Sequence, residues 1–283
     1  MTQTANPIVA PWNGAPPKAF SADDVEELKR SFAAAGYLVF KNVVSKDKLS
    51  GLRSRIIEEF ERAKQSGRLF SGGGSISGHL NCFPGADSRF AYEALDAHGI
   101  IDLIRAISPK SMNKLNVGCN LNLPGSVAQH YHADGWFTGD FMIANIAVVD
   151  TEIANGAIDL LPGTQKRFYK YWQFSLGRAY RVTTRIPMEQ GDVLIRTSTL
   201  WHRGMPNLTA LPRPMLALTF GDPGSARFED PFAAGDGGIT FHENWYRTDF
   251  LGRLRERTFV AAPLTYSAYR FVTSLVGNKG YAG

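Results

Sequence analysis

The sequence has few cysteines and no long hydrophobic run. Only Cys82 and Cys119 occur among its 283 residues, too few for a disulfide framework, and we expect both to be buried as small hydrophobic side chains. The longest apolar run, 141–149, is interrupted by Asn145 and is far shorter than the roughly 20 residues that a membrane-spanning helix needs. The first 20 residues contain four prolines and lack the basic and apolar regions of a signal peptide. These absences predict a soluble, cytoplasmic protein.

The net charge of +5 is a local property of one segment. Residues 165–187 contain six basic side chains and no acidic one, and without them 25 of the 31 basic residues remain against 26 acidic ones. Basic and aromatic side chains alternate in this segment. Three interpretations follow. The segment could lie at the mouth of the β core and bind an anionic substrate through Trp172, Arg178 and Arg181. It could instead be an amphipathic helix packed on the core, or a platform for single-stranded nucleic acid. A segment this short is a small platform, so we expect no nucleic-acid partner.

The order of predicted elements is helices, then a β core, then helices. Ser21 followed by acidic residues predicts the start of a helix, 37–40 a short buried strand, and 46–65 a second helix. From about residue 114, short apolar runs alternate with Pro, Gly and Asn, which is typical of a β sandwich or barrel. We expect a flexible tail over 1–20 and one domain over 21–283, with helices in about 21–112, the β core in about 113–225 and helices in about 241–283.

A metal-binding pattern lies in the predicted β core. His132 and Asp134 are two residues apart, so in an extended strand their side chains point to the same face. His202, from a distant strand, would complete two imidazoles and one carboxylate. This set of ligands leaves open coordination positions and suits non-haem Fe(II) oxygenases.

An arginine follows the last predicted metal ligand at a short distance in the sequence. Arg213 lies eleven residues after His202, which allows a turn to bring it back beside the metal. A guanidinium group binds a carboxylate through two parallel hydrogen bonds, and the free carboxylate of a metal-chelating keto acid would meet it there.

Together these motifs resemble the phytanoyl-CoA dioxygenase family of Fe(II)- and 2-oxoglutarate-dependent oxygenases. The resemblance extends over residues 20–222 and includes the segment from Phe32 to Lys41, the HxD motif, the segment from Asn155 to Thr164, and the segment from His202 to Arg213. Gln165 departs from the family, in which His precedes Lys166, and we expect this change to affect substrate contacts.

The resemblance implies a fold, a set of cofactors and a reaction. The implied fold is mainly β, a double-stranded β-helix (a cupin-like jelly roll) with flanking α-helices. The implied iron ligands and catalytic residues are His132, Asp134 and His202, and Arg213 would bind 2-oxoglutarate. Fe(II), 2-oxoglutarate and O2 would then hydroxylate a C–H bond of a small, anionic molecule, with release of succinate and CO2. The intact Asp134 favours hydroxylation over halogenation, because related halogenases have a small residue there.

Other polar residues near the predicted ligands are weaker candidates. Asn120, Asn122 and Gln129 are expected to contact the co-substrate, although a solvent-facing strand would explain their alternation. His130 is expected to line the pocket. The remaining histidines, His79, His98 and His242, are expected to be ordinary surface or packing residues.

Two other functions remain open from the residues alone. A zinc hydrolase would use the same His-Asp-His set but would have no use for Arg213. A non-catalytic jelly-roll protein could retain the metal. The basic C-terminal helices could form a lid or the contact of a homodimer.

Overall fold

A computed structural model gives the fold of the chain. It describes residues 20–65, 77–110, 114–134, 141–167, 169–177, 183–221, 230–241, 250–259 and 263–276.

The first helix, α1 (Ala22–Ala35), begins and ends at residues that the sequence marks clearly. Ser21 Oγ accepts the backbone N–H of Asp24 at 3.2 Å, and the Asp24 carboxylate accepts the backbone N–H of Ser21 at 3.1 Å. This reciprocal pairing satisfies two amides that a helix start leaves free, so the predicted cap is confirmed. The helix ends at Gly36, whose φ of 84° is readily available only to glycine.

Ten strands occur in the described residues, and all their pairings are antiparallel. Their bounds are β1 (Tyr37–Phe40), β2 (His79–Phe83), β3 (Leu115–Asn122), β4 (Met142–Ala147), β5 (Ile158–Leu160), β6 (Thr184–Ile186), β7 (Val193–Thr197), β8 (His202–Arg203), β9 (Arg213–Phe220) and β10 (Thr240–Phe241). A seven-stranded sheet has the order β1-β7-β4-β9-β3-β2-β10, and a three-stranded sheet has the order β6-β5-β8.

Helices cover the outer face of the large sheet. They are α2 (Lys46–Gln65), α3 (Arg89–Ala97) and α4 (Ile100–Ile107). Alternate residues of β3, namely Val117, Cys119 and Leu121, join the large hydrophobic cluster on this side. Cys82 lies directly opposite Cys119 in β2, and both thiols are free and buried, as predicted.

The inner face of the large sheet is divided into an apolar part and a polar part. The apolar part packs against β5 and β6 of the small sheet in a second cluster that contains Val39, Leu160 and Leu194. Strand register and alternation assign a set of polar side chains to the same inner face. They are His79, Asn81, Asn116, Asn120, Asn122, Asn145, Arg196, Arg213 and Thr219.

Three helices lie in the C-terminal half of the chain. They are α5 (Tyr171–Leu176), α6 (Phe250–Phe259) and α7 (Pro263–Val276). The α5 helix packs against α7, and the backbone N–H of Trp172 donates to Ser274 Oγ at 3.0 Å. In the part of the chain that the structure describes, none of the helices combines the length and apolar character needed to span a bilayer.

The predicted fold class is correct in architecture but not in proportion. An antiparallel sheet with flanking helices is present and is consistent with a cupin-like jelly roll. However, 42% of the structure is helical and 25% is strand, so the description "mainly β" overstates the strands. The sheet also extends beyond the predicted core of 113–225. The strand β1 was predicted at 37–40, whereas β2 comes from a region that we expected to be helical, and β10 lies at the start of the predicted C-terminal helical region.

Candidate active site

The structure brings His132, Asp134 and His202 together at the small sheet. One ligand atom from each side chain lies within 4.8 Å of the others. His132 and His202 are paired through their backbones, with both N–H···O distances at 2.9 Å, so this pairing extends the small sheet beyond β8. Two residues on, Asp134 points to the same centre as His132, which is the arrangement predicted from the HxD spacing.

Backbone carbonyls orient both imidazole rings. His132 Nδ1 lies 2.7 Å from the carbonyl oxygen of His130, and His202 Nδ1 lies 3.0 Å from that of Leu200. A carbonyl can only accept, so each Nδ1 carries the proton and each Nε2 keeps its lone pair. The two Nε2 atoms lie 3.5 and 3.4 Å from the carboxylate oxygens of Asp134.

The electrostatics of the site favour a neutral His202 and an ionised Asp134. Burial, reinforced by the Arg196 cation, lowers the pKa of His202 to about 3. Burial would raise the pKa of Asp134, but His202, Arg196 and His132 together hold it well below its ordinary value. In these protonation states both groups can donate electron pairs to a cation.

Arg213 is a buried cation at the start of β9. It is 5% exposed, and within the described residues it donates to the carbonyl oxygens of Asn155, at 3.4 Å, and Gly156, at 3.2 Å. Burial lowers its pKa to about 10, so it remains charged at neutral pH. Among the residues that the structure describes, Arg213 has no carboxylate partner, which leaves it free to pair with an anionic ligand.

The amide candidates have different environments. Asn120 and Asn122 lie on the inner face, and Asn122 is opposite Arg213 in the sheet. Asn122 donates to the carbonyl of Met205 at 2.9 Å, and its Oδ1 is buried without a hydrogen-bond partner in the described structure. The carboxamide oxygen of Gln129 instead accepts the backbone N–H of Gly204 at 2.8 Å, so this side chain fixes the chain just after His202.

Two residues on the inner face were not predicted from the sequence. His79, expected to be an ordinary residue, is 7% exposed, and burial lowers its pKa to about 4. Arg196, in β7, is 4% exposed and donates to Asp134 Oδ2 at 2.6 Å and to Asn145 Oδ1 at 3.0 Å. The available signal was an arginine within the otherwise apolar run 193–196.

The structure places Gln165 against α1, and its expected substrate contact stays a prediction. Its Nε2 donates to the carbonyl of Ala33 at 3.1 Å, at the C-terminal end of α1. The change from the family pattern therefore concerns helix capping, since the last carbonyls of a helix have no partner within it.

The described part of the basic segment packs on the protein. Phe174 stacks on Trp201 with ring centroids 4.0 Å apart, as the packing interpretation predicts. Trp172 is half-buried and lines a surface cavity of about 320 Å³ together with Arg167, Gln173, Leu176 and Gly177. None of the three predicted metal ligands lines this cavity. Arg178, Arg181 and His242 lie outside the described residues.

The residues present fit a bound iron ion and a dicarboxylate. Two imidazole nitrogens and one carboxylate form the facial set that suits Fe(II) with open positions. The unpaired guanidinium of Arg213 matches the second carboxylate of a chelating acid.

Comparisons with solved structures agree with this fold. Among solved structures, the chain is similar to the non-heme alpha ketoglutarate dependent epimerase SnoN from nogalamycin biosynthesis, with a TM-score of 0.55 and 16% identity over 76% of this chain and 90% of that chain. It is also similar to the non-heme alpha ketoglutarate dependent carbocyclase SnoK, with a TM-score of 0.54 and 15% identity over 73% and 87%. For AviO1 from Streptomyces viridochromogenes Tue57, the TM-score is 0.54 and the identity 17% over 73% and 99%.

Sequence similarity to a family is more specific than these structural likenesses. The family model described as phytanoyl-CoA dioxygenase (PhyH) matches residues 32–215, which include the HxD motif, His202 and Arg213. The chain therefore belongs to the phytanoyl-CoA dioxygenase family.

Proposed function

We propose that this protein is a non-haem Fe(II)- and 2-oxoglutarate-dependent dioxygenase that hydroxylates a C–H bond of a small molecule. The observation that supports this most is the convergence of His132, Asp134 and His202 in a protonation state suited to a cation. Family membership and the unpaired Arg213 support the same conclusion.

In this proposal each residue has a defined task. His132 and His202 hold the metal through Nε2, Asp134 holds it through its carboxylate, and Arg213 binds the distal carboxylate of 2-oxoglutarate. When bound, Fe(II) would couple the oxidative decarboxylation of 2-oxoglutarate by O2, which gives succinate and CO2, to the insertion of one oxygen atom into a C–H bond.

The chain's own contribution is the orientation of the ligands and the burial of His202 and Arg213. The carbonyls of His130 and Leu200 fix the rings before metal binds, so little reorganisation is needed. His202 is 4% exposed and Arg213 is 5% exposed. Electrostatic interactions at such buried positions are stronger than in bulk water.

The reaction type is the finer part of the proposal. The similar structures include an epimerase and a carbocyclase, so one scaffold serves several oxidative outcomes. We favour hydroxylation, because Asp134 keeps a carboxylate at the position that halogenases leave small. Incorporation of one atom of labelled O2 into the product would support hydroxylation, whereas a product without the label would indicate epimerisation or ring closure.

The first experiment tests the cofactors. Anaerobic addition of Fe(II) and 2-oxoglutarate should give a weak visible charge-transfer band, and His132→Ala should lose it together with stoichiometric iron. Absence of the band in wild-type protein with iron demonstrably bound would favour the zinc-type hydrolase or a non-catalytic metal protein.

We propose a cytoplasmic location, in keeping with two free thiols.

A further inference from the structure

Arg196 has one donor group that the described structure leaves without a partner. Its Nη2 binds Asp134 and its Nε binds Asn145, but its Nη1 is buried and makes no hydrogen bond within the described residues. A buried donor without an acceptor is unfavourable, and more so when it is charged. The position therefore suits a ligand that brings an acceptor.

A second unpartnered donor lies on the same side of the sheet. Register across β7, β4, β9 and β3 places Arg196, Ile143, Thr219 and Asn116 in one row on the inner face. Asn116 Nδ2 is also buried and has no hydrogen-bond partner in the described chain. Arg213 lies at the other end of the polar face, three inner-face positions along β9 from Thr219.

Charge on this face is unbalanced in one direction. The described strands of the large sheet contain no Asp or Glu, and their only arginines are Arg196 and Arg213. The low pKa of His79 keeps that imidazole neutral at physiological pH. With Fe(II) and the 2-oxoglutarate dianion bound, their charges cancel, and two arginines against Asp134 leave one positive charge.

We propose that Arg196 binds an oxyanion of the primary substrate, a carboxylate or a phosphate group, and that Asn116, farther along the same row, binds another polar group of that substrate. This inference rests on the proposed function, because it assigns Arg213 to 2-oxoglutarate and leaves Arg196 for the substrate. The guanidinium that binds this oxyanion also touches Asp134, so the substrate is held beside the metal ligands. The anionic substrate expected from the basic segment 166–185 is thus recognised inside the barrel.

The experiment uses three probes of equal chain length, hexanoate, hexyl phosphate and hexanamide, on anaerobic protein loaded with Fe(II) and 2-oxoglutarate. Loading occupies Arg213, and a shift of the charge-transfer band reports binding near the metal. We expect saturable binding of at least one anion, with an affinity about tenfold or more above that of the neutral amide. The stronger anion identifies which oxyanion the subsite prefers.

Variants assign the preference to Arg196. At Fe(II) and 2-oxoglutarate concentrations that saturate each variant, Arg196→Met should bind the anions and the amide equally, and Arg196→Lys should retain part of the preference. Arg185→Met removes a cation whose Nε donates to the Ala157 carbonyl at 2.9 Å, and it should keep the wild-type preference.

The outcomes separate the two proposals. Failure of wild-type protein to form the band would contradict the proposed function. A normal band without preference for an anion, or a preference that persists in Arg196→Met, would overturn the subsite alone. If Arg196→Met does not fold, the wild-type comparison of anions with amide and the Arg196→Lys variant decide.

Discussion

At the scale of single residues, the candidate site contains two buried arginines in different environments. Arg196 pairs with a carboxylate, whereas Arg213, among the described residues, donates to backbone carbonyls. Carbonyl oxygens offset part of the cost of burying a guanidinium but carry no opposite charge. The difference predicts that loss of Arg213 chiefly affects ligand binding.

Arg213→Met should raise the dissociation constant of 2-oxoglutarate about 100-fold. Loss of a charge-assisted pair of hydrogen bonds costs roughly 2–3 kcal/mol, and each 1.4 kcal/mol is tenfold in affinity. Anaerobic titration of the charge-transfer band measures this constant. Iron affinity should stay close to that of wild type, because no contact joins Arg213 to the three metal-binding side chains. A change of less than threefold would contradict the assignment of Arg213.

At the scale of elements, one buried carboxylate joins the two segments that carry the histidines. Asp159 Oδ2, in β5, accepts the Tyr131 hydroxyl at 2.8 Å and Arg203 Nε at 3.0 Å. Tyr131 precedes His132 and Arg203 follows His202. Through these two neighbours, Asp159 restrains the positions of both histidines from the outer face of the small sheet. Burial, followed by the bond to Asp159, raises the pKa of Tyr131 well above its ordinary value, which keeps it a donor.

Asp159→Asn should weaken metal binding about tenfold without removing any ligand. Outer partners that orient metal ligands typically contribute 10- to 100-fold in affinity. Titration with Co(II), followed by its visible absorption, measures the effect. Tyr131→Phe removes one of the two bonds and should have a smaller effect. If Asp159→Asn binds Co(II) as wild type does, the hydrogen bonds of Asp159 have no role in the metal site.

The turn between α1 and β1 is a second element whose stability depends on one residue. Gly36→Ala should destabilise the protein by about 1–3 kcal/mol, because φ is 84° and an added Cβ would lie 2.7 Å from Gln165 Cδ. Gln165→Ala should cost about 1 kcal/mol through the lost bond to Ala33. Urea denaturation measures both. In the double variant the two costs should be less than additive, since Gln165→Ala removes the clash; strict additivity would mean that the two residues do not interact.

At the scale of the whole molecule, the C-terminal helix is connected to the metal site through an aromatic layer. Arg270, in α7, lies 4.2 Å from the Tyr171 ring centroid and donates to the Tyr131 carbonyl at 2.7 Å. Phe174 and Trp201 stack beneath it and are 2% and 0% exposed. The last described helix is therefore part of the support of the site.

Phe174→Ala should lower the free energy of unfolding by about 3–5 kcal/mol, the usual cost of truncating a buried phenylalanine. Urea denaturation followed by tryptophan fluorescence measures it. Val272→Ala, at a position on α7 that is 59% exposed, is the matched control and should change stability by less than about 0.5 kcal/mol. Equal effects of the two changes would show that the aromatic layer carries little stability.

The sequence predicts the local parts of this molecule well and the parts that depend on register poorly. The α1 cap and the shared face of His132 and Asp134 follow from spacing alone. The approach of Arg196 to Asp134 does not, because it requires the alignment of β7 with β4 and the return of a strand from sixty residues away. Likewise, β2 pairs with β3, and this non-local pairing brings His79 opposite Asn122.

The reciprocal backbone bonds between His132 and His202 have a consequence for kinetics. Because the two backbones are paired, a local opening of this strand pair displaces both histidines from the metal at once, and we expect this opening to be the main route of iron release. Hydrogen exchange of these two amides reports how often that event occurs. The residence time of the metal should therefore follow their exchange rates, and Asp159→Asn should accelerate both together.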